Sequence, residues 1–228
     1  MLAQLTNGPA IPMNKWKCTM KELELRLSPS MAWIVVVMTI GLFGSTSSQA
    51  QTQSPAAVHI QTYYQQLMPT IRQAGKLSVR ERDKRFTPAI TAAFDLGTMT
   101  RLAVGPAWTS FSPSQQAAVR DAFARFIIAD YASQVSNYSG ESFVVEPQTT
   151  TESRGGGEIV KTKLLQPGGR TVSINYLVRG GRVIDVYLNG TISDLAMRRD
   201  EFASIIASGG ADALIKRLRD RTQSLLGG

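Results

Sequence analysis

The hydrophobic pattern of this chain changes period along its length. From "AAVHIQTYYQQLMPTIRQAGK", Ile60, Tyr64, Leu67, Met68 and Ile71 recur at helical spacing, and Pro69 is placed to kink or end that helix. Residues 51–56 are small and polar and read as a flexible lead-in. A second helix is expected over 79–94, where Phe86, Ile90 and Phe94 stand four apart, and a short one over about 96–104, stopped by Gly105 and Pro106. The next start signal is the clearest. Ser112 caps, Pro113 fits the first turn and Gln115 closes a capping box, after which Val119, Phe123, Ile127, Tyr131 and Val135 follow every four residues.

After Gly140 the period drops to two. "ESFVVEP", "GEIVKTKLLQP", "RTVSINYLVRG" and "GRVIDVYLNG" read as four strands joined by glycine-rich turns, an antiparallel meander. In the third strand Val172, Ile174, Tyr176 and Val178 share a face; in the fourth, strict alternation groups Ile184, Val186 and Leu188. The end of the chain returns to helix, broken at Gly209-Gly210. The expected class is α+β: helices packed on one face of a curled four-stranded meander, an NTF2-like cone with an apolar cleft between the layers.

The N-terminus changes how much of the chain belongs to that domain. Lys15, Lys17, Lys21 and Arg26 precede the apolar run "MAWIVVVMTIGLFG", and small residues follow it. This is the pattern of a secretory signal peptide, with Ser48 and Ala50 at the small positions, so residues 1–50 are expected to be removed. An uncleaved anchor is the alternative, although the run falls short of the roughly 20 residues a span requires. Residues 51–228 then form one domain with 21 basic and 15 acidic residues, a net charge of +6. Cys18 lies in the leader, so that domain carries no thiol for a disulfide, a nucleophile or a metal site. In an exported chain the basic balance points to anionic membrane surfaces or simple solubility rather than nucleic acid. "RERDKR", residues 80–85, alternates in sign and reads as a solvated helix face.

Candidate chemistry is sparse. His59 is the single histidine and has no acidic neighbour in sequence, and no metal or cofactor motif is present. "RGGGE" and "PGGR" lie between strands, as hairpin turns do, not before a helix where phosphates bind. Four acids remain for general acid–base work: Asp95, Asp130, Asp185 and Asp194. Asp95 and Asp194 sit where helices begin and read as caps, and Asp130 reads as solvent-facing. Asp185 stands among Val183, Ile184, Val186 and Tyr187. It is either a pocket acid with a raised pKa, the partner of Arg179, Arg198 or Arg199, or a residue facing water.

"FDLGTMTRLAVGPAWTSFSPSQQAAVRDAFARFIIADYASQVSNYSGESF", followed by "VIDVYLNGTISDLAMRRDEFASIIASGGADALIKRL", resembles the MlaC/toluene-tolerance family of periplasmic lipid-binding proteins. The carrying motifs are Asp185-Val186, the turn Gly190 to Ser193, Arg198 to Phe202, and Gly210 to Ile215. "MTRLAVGPAW" looks closest to the hopanoid-associated branch called HpnM, and Thr191-Ile192 departs from the usual turn residues. The resemblance implies a periplasmic carrier, not an enzyme, with no cofactor. Its cargo would be a phospholipid or hopanoid, and its partners an inner-membrane transporter of MCE or RND type and an outer-membrane lipoprotein complex. On the carrier reading the expected lining is Val172, Ile174, Tyr176, Ile184, Val186, Leu188, Phe126, Tyr131 and Trp108, with Asp185 and Arg198 as supports near the mouth, and a one-residue slip in register would swap the set on the last strand. A carrier of this kind must offer a large apolar lining. At roughly 0.8 kcal/mol per methylene, a lipid of about 30 methylenes resists leaving its bilayer by some 24 kcal/mol gross. Two other classes stay open: an enzyme using Asp185, alone or with Asp130, on an apolar substrate, and a membrane-anchored adaptor with an ordinary core.

Overall fold

Each helix begins where local chemistry satisfies its free amides. In the computed structural model, which describes residues 53–153 and 155–227, helix α1 spans Pro55–Ile71. The expected export segment and its cleavage point lie outside the described residues. Ser54 caps α1 by accepting from the Ala57 amide, and Pro55 occupies the first turn, so the helix starts inside the stretch expected to be flexible. Pro69 falls in its last turn, next to where it stops. Helix α2, Val79–Ala93, opens with a capping box between Ser78 and Glu81, and α3, Leu96–Val104, is capped by Asp95. A 3-10 turn, Gly105–Ser110, leads into α4, Pro113–Gln134, whose Ser112–Gln115 capping box forms as the sequence predicts. Helix α5, Asp194–Gly227, is interrupted at Gly209 and Gly210, the expected break.

The sheet holds five antiparallel strands in consecutive order: β1 Ser142–Thr151, β2 Glu158–Leu165, β3 Thr171–Arg179, β4 Arg182–Leu188 and β5 Ile192–Ser193. Four were expected. The fifth arises because Asn189 and Gly190 both take positive φ, 51° and 81°, which closes a tight turn with the Thr191 amide donating to the Leu188 carbonyl and lets Ile192 pair with Leu188. Asn-Gly is a strong hairpin signal, and the residues read as a plain turn before the helix include a short strand. The sheet is open, with β1 and β5 as its edges, so it matches the expected cone only loosely.

One sheet face is apolar and the other polar. Lys161, Lys163, Ser173, Asn175 and Tyr187 alternate outward, and Lys163 pairs with Glu146 at 3.3 Å. On the inner face, α1 packs against β1 and β2 while α3 and α5 pack against β4. Behind them α4 and α5 form the helical core: Phe123 meets Phe202 edge to face at 6.2 Å, with Val119, Ile127, Leu214 and Leu218 fully enclosed. "RERDKR" is not wholly solvated. Arg82 is buried and donates to the carbonyls of Ala74, Leu77 and Ala132, while Asp83 pairs with Arg125 at 3.1 Å. A guanidinium with several aligned donors can close helix ends that periodicity alone does not connect.

Candidate functional site: an apolar sheet face under an aromatic cluster

Strand register assembles the inner face row by row. Val160, Tyr176 and Val186 form one row; Val145, Thr162, Ile174, Leu188 and Ile192 form the next; Phe143, Leu164 and Val172 form a third. The first row is buried throughout. Along the second the cover thins: Thr162 is buried, Ile174 and Leu188 are half-buried, and Ile192 is 45 % exposed. In the third, Leu164 and Phe143 are half-buried and Val172 is buried. Beyond the first row the apolar face is thus only partly covered by the helices, with an exposed isoleucine at its β5 edge.

Aromatic side chains fill the space over β3. Tyr64 stacks on Phe143 at 4.0 Å, and Tyr63 meets Phe94 edge to face at 5.2 Å. The Tyr64 hydroxyl lies 2.7 Å from that of Tyr176 and 3.0 Å from that of Thr162, which donates in turn to the Ile174 carbonyl. Burial pushes the Tyr64 phenol up to about 12 and raises those of Tyr63, Tyr176 and Tyr131 as well, so all four stay protonated near neutrality. This cluster joins apolar rings to neutral hydrogen-bonding tips.

The register gathers five of the expected contact residues: Val172, Ile174 and Tyr176 on β3, and Val186 and Leu188 opposite them on β4. Tyr131 joins through Phe94, its ring 6.0 Å away, and Phe94 stands 6.4 Å from Tyr176. Three others lie elsewhere. Ile184 is the extra residue of a β-bulge: Val183 pairs with Val178 and Asp185 with Leu177, so Val183 takes the inward position and alternation fails at Ile184. Phe126 sits between the guanidinium groups of Arg198 and Arg221, at 5.1 and 5.5 Å, in the seam between α4 and α5. Trp108 lies on the 3-10 turn with Arg120 over its ring at 5.5 Å and Phe111 at 6.2 Å. Sequence reasoning missed Tyr63, Tyr64, Phe94, Phe143 and Thr162. The inward face of α1 and the period of β2 carry that signal, but register is what joins them.

The acids divide differently from their sequence reading. Asp130 is buried, not solvent-facing, and pairs with Arg198 at 2.9 Å. Arg198 also holds Asp194 at 2.8 Å, so Asp194 opens α5 as one of the three members of a buried triad. Burial works against the Arg198 cation, yet the two carboxylates outweigh it and hold its pKa above the ordinary value. Among the described residues Asp185 meets no arginine within ion-pairing distance. Its carboxylate accepts from the Ser193 hydroxyl at 2.6 Å and from the Val186 and Leu195 amides at 2.8 and 3.2 Å, which ties β4 to the start of α5. Burial still raises its pKa against those three donors. With these bonds made, Asp185 anchors the start of α5. His59 faces the Ala93 carbonyl at 3.0 Å and has no carboxylate partner among the described residues. An open groove of about 540 Å³ lies away from the sheet, bordered by Arg80, Asp121, Arg125, Arg219, Thr222 and Gln223.

The fold resembles a solved phospholipid-binding protein from Ralstonia solanacearum, determined in complex with a phospholipid, with a TM-score of 0.64 and 20% sequence identity over 75% of this chain and 99% of that one. Among curated proteins none matches. The sequence model described as MlaC protein matches residues 61–220, from within α1 to the last turns of α5. Both the aromatic cluster and the β4–α5 corner with its buried arginine fall inside that span, and the chain belongs to the MlaC family.

Proposed function

We propose that this protein is a periplasmic lipid carrier that shields acyl or hopanoid chains against the inner face of its sheet and shuttles them between the inner and outer membranes. The observation that carries this reading is the inner face itself: a graded apolar surface running from the buried row of Val160, Tyr176 and Val186 to the exposed Ile192. Membership of the MlaC family and a structural neighbour that binds phospholipid support it. Residues 1–50 act as the export signal. An inner-membrane transporter of MCE or RND type, and an outer-membrane lipoprotein complex, exchange cargo with the carrier during transient contacts with each membrane.

The aromatic rings occupy the space that a chain would take, so loading requires the sheet and helices to part. Neutral tyrosine contacts suit that purpose, because each costs only about 0.5–1.5 kcal/mol to break when water or cargo replaces it. Support for binding over catalysis comes from Asp185, whose carboxylate is held by a hydroxyl and two backbone amides. Native mass spectrometry of the protein, purified without detergent from a hopanoid-producing host, tests the reading. A bound phospholipid or hopanoid at near one-to-one is expected and names the cargo. A bare polypeptide mass, with no lipid in a solvent extract, overturns it.

A further inference from the structure

Within the aromatic cluster one hydroxyl is fully enclosed without a bond. The Tyr131 hydroxyl is buried and has no hydrogen-bond partner among the described residues. Of the groups that act on it electrostatically, Arg198, Asp130 and Asp194 are bonded to one another, and Tyr63 is the fourth. A buried hydroxyl without a partner costs free energy that phenylalanine, of nearly the same shape, avoids. An unexplained polar group beside an apolar surface is therefore a place where something with a matching group fits.

The surroundings narrow what that group is. Asp130 and Asp194 supply two negative charges against the single positive charge of Arg198, and all three act on the Tyr131 hydroxyl electrostatically. A phosphate or carboxylate brought here meets net repulsion in a poorly solvated site. A methyl-terminated chain brings no acceptor. A neutral oxygen satisfies both conditions, because the protonated phenol donates to it without adding charge. Resting on the carrier reading, we propose that Tyr131 is a specificity-determining residue that donates a hydrogen bond to a neutral oxygen of the cargo, an ester carbonyl or a chain hydroxyl, while the charged head group stays outside.

Two matched pairs of probes test this by displacement of a fluorescent fatty acid from the delipidated protein. Dipalmitoyl phosphatidylcholine against its dihexadecyl ether counterpart isolates the ester carbonyls. 12-Hydroxystearic acid against stearic acid isolates a chain hydroxyl. The native protein is expected to favour the oxygen-bearing member of one pair by about threefold to tenfold, the range of a single neutral hydrogen bond. The pair that shows the preference identifies the source of the oxygen. Tyr131→Phe is expected to erase the preference and to keep or raise the melting temperature of the empty protein. A preference that survives in Tyr131→Phe, or no preference in the native protein, overturns the proposal. So does a lower melting temperature of the empty variant, since the hydroxyl would then already be bonded. If neither member of either pair displaces the fluorophore, the carrier reading itself falls.

Discussion

The two sides of the sheet are held to the helices by different chemistry. At the β4 side the chain runs directly into α5, and Asp185 fixes the corner through Ser193 and the Leu195 amide. Arg182 donates to the carbonyls of Thr91 and Phe94 at the end of α2, and the Asp95 amide donates to the Val183 carbonyl at 2.9 Å. At the β1–β2 side the join is mostly a stacked pair of rings, Tyr64 on Phe143, and neutral hydroxyls; its one charged bond among the described residues is at the rim, where Ser54 donates its amide to the Pro147 carbonyl and its hydroxyl to the Glu158 carboxylate. Bonds to charged groups are roughly twice as strong as neutral ones. On the carrier reading, a sheet that opened would swing on β4 and release α1, so that one side of the molecule would hold while the other let go.

The largest test of that contrast is Arg198→Ala. It leaves Asp130 and Asp194 buried without a counter-ion beside the β5–α5 corner, and a loss of about 3–5 kcal/mol in urea-denaturation stability is expected. A loss below about 1 kcal/mol, the range of a surface pair, would mean the corner is not a fixed point. Asp185→Ala comes next. It leaves the Leu195 amide and Ser193 hydroxyl without their acceptor, for an expected loss of about 1–3 kcal/mol. Asp185→Asn, which keeps an acceptor oxygen for the two amides, should recover most of it. If both variants lose equally, the space the carboxylate fills matters more than its bonds.

How much of this was legible in the sequence depended on the range of the signal. Helix starts at Ser78, Asp95 and Ser112 are local hydrogen-bonding patterns three residues long, and all three are where the sequence places them. The inner faces of β3 and the end of β4 follow from alternation. Ile184 does not, because a bulge is a property of the pairing between strands, and no residue in "RVIDVY" announces it. Phe126 belongs to an apolar stripe on α4, but a 3.6-residue period cannot say whether the sheet or another helix covers it. Asp130 read as exposed because its partner Arg198 is 68 residues away. Long-range charge pairs of this kind are where pattern reading stops.

On the releasing side the expected effects are smaller. Tyr64→Phe removes both hydroxyl contacts of α1 with the sheet while keeping the ring on Phe143. A stability loss of about 1 kcal/mol is expected, with lipid exchange between the protein and vesicles faster by roughly fivefold, since the same bonds must break for opening. Thr162 keeps its bond to the Ile174 carbonyl, so the strand pairing should not suffer. A variant that loses stability without exchanging faster would show that the sheet opens somewhere other than at α1.

The smallest expected effect is in the pH dependence of the fixed side. Burial raises the pKa of Asp185 even though three donors oppose that shift. An acid whose folded pKa lies above its unfolded value, about 3.9, keeps its proton in the folded state over a window where the unfolded chain has lost it. Stability then falls as pH rises through that window and levels off above the folded value. Asparagine at this position does not titrate. Subtracting native from Asp185→Asn stability cancels the other titrating groups, and the difference should move in favour of the variant between about pH 4 and neutrality. The Ser193, Val186 and Leu195 bonds work against the burial that raises the Asp185 pKa. A slope of the opposite sign would mean that those bonds outweigh burial and the corner is tighter than the raised pKa implies, which widens the contrast between the two sides. A flat difference would remove Asp185 from the holding side and leave Arg182, Asp95 and the Arg198 triad to carry it.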